Sequence, residues 1–133
     1  MDVLFPSRPL SISIACDPAR VYAYVRDPRN LPQWAEGFCK SVRKTEKGWI
    51  AETPQGPVTI RFCPDNPCGV LDHFVGIAQG AEIAVPMRVI PNGSGSEVLF
   101  TLFRAPDMSA QTFMEDADLV ERDLLSLKAR LEE

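Results

Sequence analysis

The last 25 residues constrain the fold of this 133-residue chain more than any other segment. Apolar side chains recur there every three or four positions, which is typical of one stripe of an amphipathic helix. The stripe consists of Phe113, Ala117, Val120, Leu124, Leu127 and Leu131. The rest of the chain is typical of short strands, so no second long helix is available to cover this stripe. We therefore expect the helix to lie across a sheet, an arrangement that often leaves a cavity between the two.

Length and composition are typical of one domain, which we expect to cover residues 1–133. The chain is 45% hydrophobic and 24% charged, and no apolar run approaches the roughly 20 residues that span a bilayer. The N-terminus lacks the basic start and apolar core of a signal peptide. Four cysteines are too few for the disulfide framework of a small secreted protein, so we expect free thiols. These features predict a cytoplasmic protein without membrane insertion.

The net charge of -4 arises entirely from the final helix. Residues 110–133 contain seven acidic and three basic side chains, whereas residues 1–109 contain eleven of each. Nucleic-acid binding requires clustered Lys and Arg to neutralise phosphates, and the sequence has no such stripe. The charge pattern therefore argues against nucleic acid and against anionic membranes as partners.

The N-terminal part of the chain predicts a strand followed by two short helices. Apolar and small polar residues alternate over residues 11–15, which favours a strand. Asp17-Pro18 and Asp27-Pro28 each combine an N-cap residue with a first-turn proline, so two short helices are expected in tandem.

The central part of the chain predicts a meander of six strands separated by turn residues, such as those at Gln79-Gly80. The predicted strands are residues 38–46, 48–53, 57–63, 69–77, 82–90 and 96–104. Ser109 supplies an N-cap for the last helix. Together with the first strand, these elements predict an α+β fold in which a seven-stranded curved antiparallel sheet wraps around one long C-terminal helix.

The segment over residues 17–34, with its two Asp-Pro starts and Trp34, resembles the opening helices of the START-like superfamily, also called SRPBCC. Four later segments are similar to small bacterial members often described as polyketide cyclase-like: residues 69–73, 85–89, 95–104 and 121–125. The resemblance covers the order of elements along the whole chain and implies the helix-grip fold. Because this superfamily includes binders, transfer proteins and enzymes, the resemblance implies a pocket and no particular reaction.

His73 is the only histidine and the candidate acid or base, because its unperturbed pKa lies near ~6.5. Strand alternation places Leu71, His73 and Val75 on one face, and these apolar neighbours indicate that His73 points inward. Two interpretations stay open. His73 is either a core or pocket histidine satisfied by one hydrogen bond, or a ligand-binding or catalytic residue.

Arg61 and Arg88 lie within predicted strands, where a buried guanidinium needs an acid or an anionic ligand. In one interpretation they form cross-strand pairs on the outer face with the nearby glutamates. In the other, one of them polarises a substrate carbonyl beside His73.

Aromatic side chains in this sequence either pack in the core or line an apolar cavity, whose walls are typically aromatic with a few polar groups. The expected cavity residues are Trp34, Phe38, His73, Met87, Arg88, Phe100, Phe113, Ala117 and Val120. Cys63 and Cys68 flank a turn without a second pair of ligands, so neither a metal nor a cofactor is expected.

Three functions are compatible with these observations. The first is binding of a small hydrophobic or aromatic molecule between sheet and helix, for carriage, sensing or sequestration. The second is a cyclase, dehydratase or hydrolase that uses His73 together with an arginine. The third is protein–protein interaction, including a homodimer, through the acidic helix or the exposed sheet. We rank ligand binding first because it requires only a cavity.

Overall fold

The computed structural model describes residues 4–77 and 80–133. The helices are α1 (Pro18–Arg26), α2 (Leu31–Trp34) and α3 (Ala110–Leu131), with a 3-10 turn (Pro28–Asn30) between α1 and α2. The strands are β1 (Ser7–Ile14), β2 (Ser41–Thr45), β3 (Gly48–Thr53), β4 (Gly56–Phe62), β5 (His73–Gly76), β6 (Glu82–Val85), β7 (Met87–Asn92) and β8 (Gly95–Phe103). The turn predicted at Gln79-Gly80 begins outside the described residues.

The strands form two antiparallel sheets of order β1-β8-β7 and β2-β3-β4-β5-β6. The predicted α+β helix-grip architecture is confirmed, but the described residues form eight strands where seven were expected. The predicted strand 82–90 is interrupted at Pro86, which has no N–H to donate to a ladder. Its first half, β6, pairs with β5, and its second half, β7, pairs with β8.

Helix α3 begins where the sequence predicts and is fixed at its C-terminal end to β1. The Oγ of Ser109 accepts a 3.0 Å hydrogen bond from the Thr112 N–H, which confirms the N-cap. At the other end, the Lys128 ammonium donates to the Ser13 carbonyl at 2.9 Å, and the Ala15 N–H donates to Glu132 at 2.8 Å. Neither α3 nor any other helix of the described residues has the length and apolar character needed to cross a membrane.

The packed core lies beneath the C-terminal half of α3. Leu124, Leu127 and Leu131 are buried there with residues from α1, α2 and both sheets. Full burial of one leucine contributes roughly 1.5–3 kcal/mol, so these three side chains hold the helix firmly. The N-terminal half of α3 lacks a comparable row of sealed leucines.

The loop before β5 approaches β7 closely at Gly69. The Gly69 carbonyl accepts a 2.9 Å hydrogen bond from the Val89 N–H. The φ of Gly69 is +70°, and a Cβ at this position would overlap the Val89 carbonyl oxygen. The loop therefore requires glycine for its conformation and for the short distance to β7.

We predict that Gly69→Ala lowers the free energy of unfolding by about 3 kcal/mol, because a left-handed conformation and a backbone overlap are both imposed on alanine. Gly93→Ala is the matched control, since Gly93 has a φ of +59° and no neighbouring heavy atom lies within 4 Å of the place a Cβ would occupy. It should cost only about 1 kcal/mol. Urea unfolding measures both values, and equal losses would contradict the proposed close approach.

Candidate functional site

Strand register places His73 of β5, Met87 of β7 and Phe100 of β8 on one inner face. His73 lies opposite Phe62, while Leu10 and Met87 flank Phe100 on its two sides. Side chains of directly opposed residues share a face of the sheet. The His73 and Phe100 rings lie 6.3 Å apart between centroids, so the two sheets meet at these side chains.

Several side chains of this inner face are only half-buried, although they point toward the interior of the fold. The C-terminal half of α3 is sealed, whereas side chains near its N-terminal half and on the facing strands are only half-buried. Helix α3 makes its main contacts with β1 and α2. We call this set of half-buried side chains the helix–sheet cleft, and it comprises Trp49, Val58, Phe62, His73, Phe100, Phe113 and Val120. All of them except His73 and Phe113 also pack against the buried core.

His73 supplies a polar ring to this otherwise apolar set. Its ring centroid lies 4.9 Å from that of Phe62, and its Nδ1 lies 3.0 Å from the Leu71 carbonyl oxygen. Burial lowers the pKa of His73 below its usual value of 6.5, while the Leu71 carbonyl and the Asp72 charge act in the opposite direction. The imidazole is therefore neutral at physiological pH.

The structure does not bring all the predicted cavity residues to the cleft surface. Trp34 is 4% exposed on α2 and packs in the core. Its Nε1 is the one sealed side-chain polar atom of the described residues that lacks a hydrogen-bond partner. Met87 and Ala117 are fully buried, and Phe38 is half-buried against the core. These four side chains lie behind the cleft or beside it.

The two arginines lie on the outer face of the sheet. Arg88 is exposed, pairs in register with Leu99, and donates to the Cys68 carbonyl at 3.3 Å. Arg61 forms a 2.9 Å ion pair with Glu82, as the cross-strand interpretation predicts. Neither guanidinium lies on the face that carries His73.

Phe62 and Val58 belong to the cleft but were not among the predicted cavity residues. Both alternate with outward polar residues on β4, and Phe62 stacks on His73. The alternation was visible in the sequence, but the pairing of β4 with β5 was needed to show which side chains would meet His73.

A concavity of about 500 Å³ lies between α1, β7 and the loop before β5. It shares no residue with the helix–sheet cleft. Its Tyr22 hydroxyl donates to Asp65 at 2.7 Å and accepts the Asn66 N–H at 3.0 Å. These contacts hold the Tyr22 hydroxyl in the wall of the groove, which is also lined by Arg88.

The cysteines supply neither a disulfide nor a metal site in the described part of the chain. All four are free thiols, and no three His, Cys, Asp or Glu side chains among the described residues group together as metal ligands would. Burial, aided by the charge of Asp123, raises the pKa of the Cys39 thiol to about 11. Cys39 is therefore a poor nucleophile at neutral pH.

Asp123 joins the middle of α3 to the segment after α2. Its Oδ1 accepts a 3.1 Å hydrogen bond from the Gly37 N–H. Burial raises the pKa of this carboxyl from 3.8 to about 6; the Gly37 N–H opposes the rise and the charge of Glu36 adds to it. Because the folded chain holds this proton more tightly than the unfolded chain, stability falls as pH rises from about 4 to about 6.

We predict that Asp123→Asn stabilises the chain by about 1–2 kcal/mol near pH 8, allowing for partial solvent access to the carboxyl. Asparagine keeps an acceptor for Gly37 and removes the buried charge. The gain should shrink below pH 4.5, where the wild-type carboxyl is protonated in the folded state. Thermal unfolding at both pH values measures the effect, and Asp118→Asn, on the exposed face of α3, is the control. A gain independent of pH would refute this origin.

No protein-family model matches the chain, and none of the curated proteins is a match in sequence. Solved structures do match. XoxI from Bacillus cereus superposes with a TM-score of 0.73 at 16% identity and covers 94% of each chain. A START superfamily protein from Mycobacterium smegmatis gives 0.68 at 14% identity, covering 95% of this chain and 97% of its own.

A third solved structure is the Aha1 dimer from Colwellia psychrerythraea, with a TM-score of 0.61, 17% identity and coverage of 96% of both chains. Identities this low carry information about fold and none about ligand or activity. The TM-scores and the near-complete coverage show that the chain has a START-like, helix-grip fold.

Proposed function

We propose that this chain binds a small, largely apolar molecule with aromatic character in the helix–sheet cleft. The carrying observation is the set of inward apolar side chains that solvent still reaches. Each Å² of apolar surface left in contact with water costs roughly 25 cal/mol. Covering an inward-facing apolar surface with a ligand therefore lowers the free energy of the complex. Aromatic walls with one polar group are typical of small-molecule sites.

The polar groups of the cleft support binding over catalysis. Acid–base chemistry on a substrate requires at least two convergent polar groups. His73 lies against Phe62 and Phe100, and its ring makes one hydrogen bond among the described residues, to a backbone carbonyl. Arg61 and Arg88 lie on the opposite face, and the half-buried Asp116 of α3 makes no hydrogen bond with His73 among the described residues. This arrangement favours a carrier, sensor or sequestering protein over a cyclase or hydrolase.

We predict that the neutral fluorophore N-phenyl-1-naphthylamine binds the wild-type chain with a micromolar dissociation constant, equivalent to about -8 kcal/mol. The Val120→Trp variant places an indole in the cleft and should weaken this binding at least tenfold. Leu125→Trp adds the same side chain where α3 is 56% exposed, so it should leave binding unchanged. Fluorescence titration measures all three chains.

Thermal unfolding distinguishes an open cleft from a filled one. An open cleft accepts the indole of the Val120→Trp variant with little loss of stability, whereas a solidly packed one loses about 1–3 kcal/mol through overpacking. A strongly destabilised Val120→Trp variant, together with no fluorophore binding to the wild type, would refute the proposed function.

A further inference from the structure

The orientation of the His73 ring determines which of its nitrogens can meet a ligand. Nδ1 lies 3.0 Å from the Leu71 carbonyl oxygen, and a carbonyl can only accept, so Nδ1 carries the hydrogen. In the neutral ring, Nε2 then has no hydrogen and presents a lone pair. His73 is thus held in one tautomer by its own strand.

Nε2 of His73 has no hydrogen-bond partner among the described residues and is not fully buried. This follows because Trp34 Nε1 is the one fully buried side-chain nitrogen or oxygen of the described residues that lacks a hydrogen-bond partner. His73 Nε2 also lacks one, so some of its surface must be accessible. His73 lies on the inner face, between the rings of Phe62 and Phe100. A bare acceptor therefore faces the apolar space at a position flanked by two aromatic rings.

Helix α3 adds a second side chain that accepts hydrogen bonds, and it favours a ligand group that donates one. Asp116 lies three residues after Phe113 and four before Val120, so it shares their face of α3. It is half-buried, and burial raises the pKa of its carboxyl. Two cations share the inner face: Lys44 lies opposite Trp49, and Arg8 lies 3.9 Å from Glu121 of α3. Both are exposed. The half-buried polar side chains next to the cleft, His73 and Asp116, are thus acceptors.

We infer that His73 Nε2 is the specificity-determining acceptor of the cleft and selects a neutral aromatic molecule that bears a hydroxyl group. The inference rests on the proposed function and narrows it. The ligand's ring packs against Phe62 and Phe100 while its O–H donates to Nε2. An ether has no proton to donate to Nε2. A carboxylate only accepts hydrogen bonds, so it cannot bond to the lone pair of Nε2.

Three probes with one shared naphthalene ring test this inference by isothermal titration calorimetry on the full chain near pH 7. They are 2-naphthol, 2-methoxynaphthalene and 2-naphthoate. We expect wild type to bind 2-naphthol roughly tenfold more tightly than the ether, the size of one hydrogen bond, and to bind 2-naphthoate most weakly. In His73→Phe, which keeps an aromatic ring and removes the acceptor, 2-naphthol and the ether should bind equally.

Phe62→Leu is the matched control. It removes a stacking ring but leaves the His73 acceptor, so it should weaken every probe while the preference for 2-naphthol persists. Equal binding of 2-naphthol and the ether to wild type, or a preference unchanged in His73→Phe, would overturn the inference and leave the proposed function standing. Failure of all three probes to bind would count against both.

A measurement on wild type makes the test independent of whether His73→Phe folds. The ¹⁵N chemical shifts of the His73 ring report which nitrogen carries the hydrogen. The free chain should show a protonated Nδ1 and a bare Nε2. The Nε2 signal should move toward the protonated range with 2-naphthol and stay in place with the ether. A protonated Nε2 in the free chain would contradict the inference.

Discussion

The burial of three leucines on the last two turns of α3 is the interaction on which the rest of the structure depends. Leu124, Leu127 and Leu131 lock this end of the helix into the core, and Lys128 and Glu132 attach it to the end of β1. A helix held along one half has its direction set there, because its own hydrogen bonds keep it straight. The other half then passes over the sheet with Phe113 and Val120 only half-buried.

Much of this architecture could be predicted from local patterns. The spacing of apolar residues defined α3, Ser109 marked its start, and alternation placed His73 on the inner face. Each of these signals involves residues within a few positions of one another. The strand break was missed because apolar residues continue across Pro86, and the missing N–H matters only once a neighbouring ladder is known.

The candidate site was harder to predict because it is assembled from residues distant in sequence. Arg88 was included as a group that could polarise a substrate carbonyl, yet it is adjacent to the inward Met87, adjacent strand residues face opposite sides, and Arg88 is exposed. Phe62 was omitted because nothing near it in sequence indicates that it lies opposite His73. The spacing of apolar residues also does not predict how far each inward side chain is buried. Phe113 and Leu127 belong to the same stripe of α3, but only Leu127 is fully buried.

The interruption at Pro86 has a mechanical consequence. Continuous ladders make a sheet stiff, since bending it stretches many hydrogen bonds at once. At Pro86 the strand changes partners, but the segment before β5 bridges the break. The Leu71 N–H donates to the Met87 carbonyl at 2.8 Å, and the Met87 N–H donates to Asp72 at 2.8 Å. The break therefore interrupts the ladder without releasing the two sheets from each other, and the angle between them is held by the segment before β5.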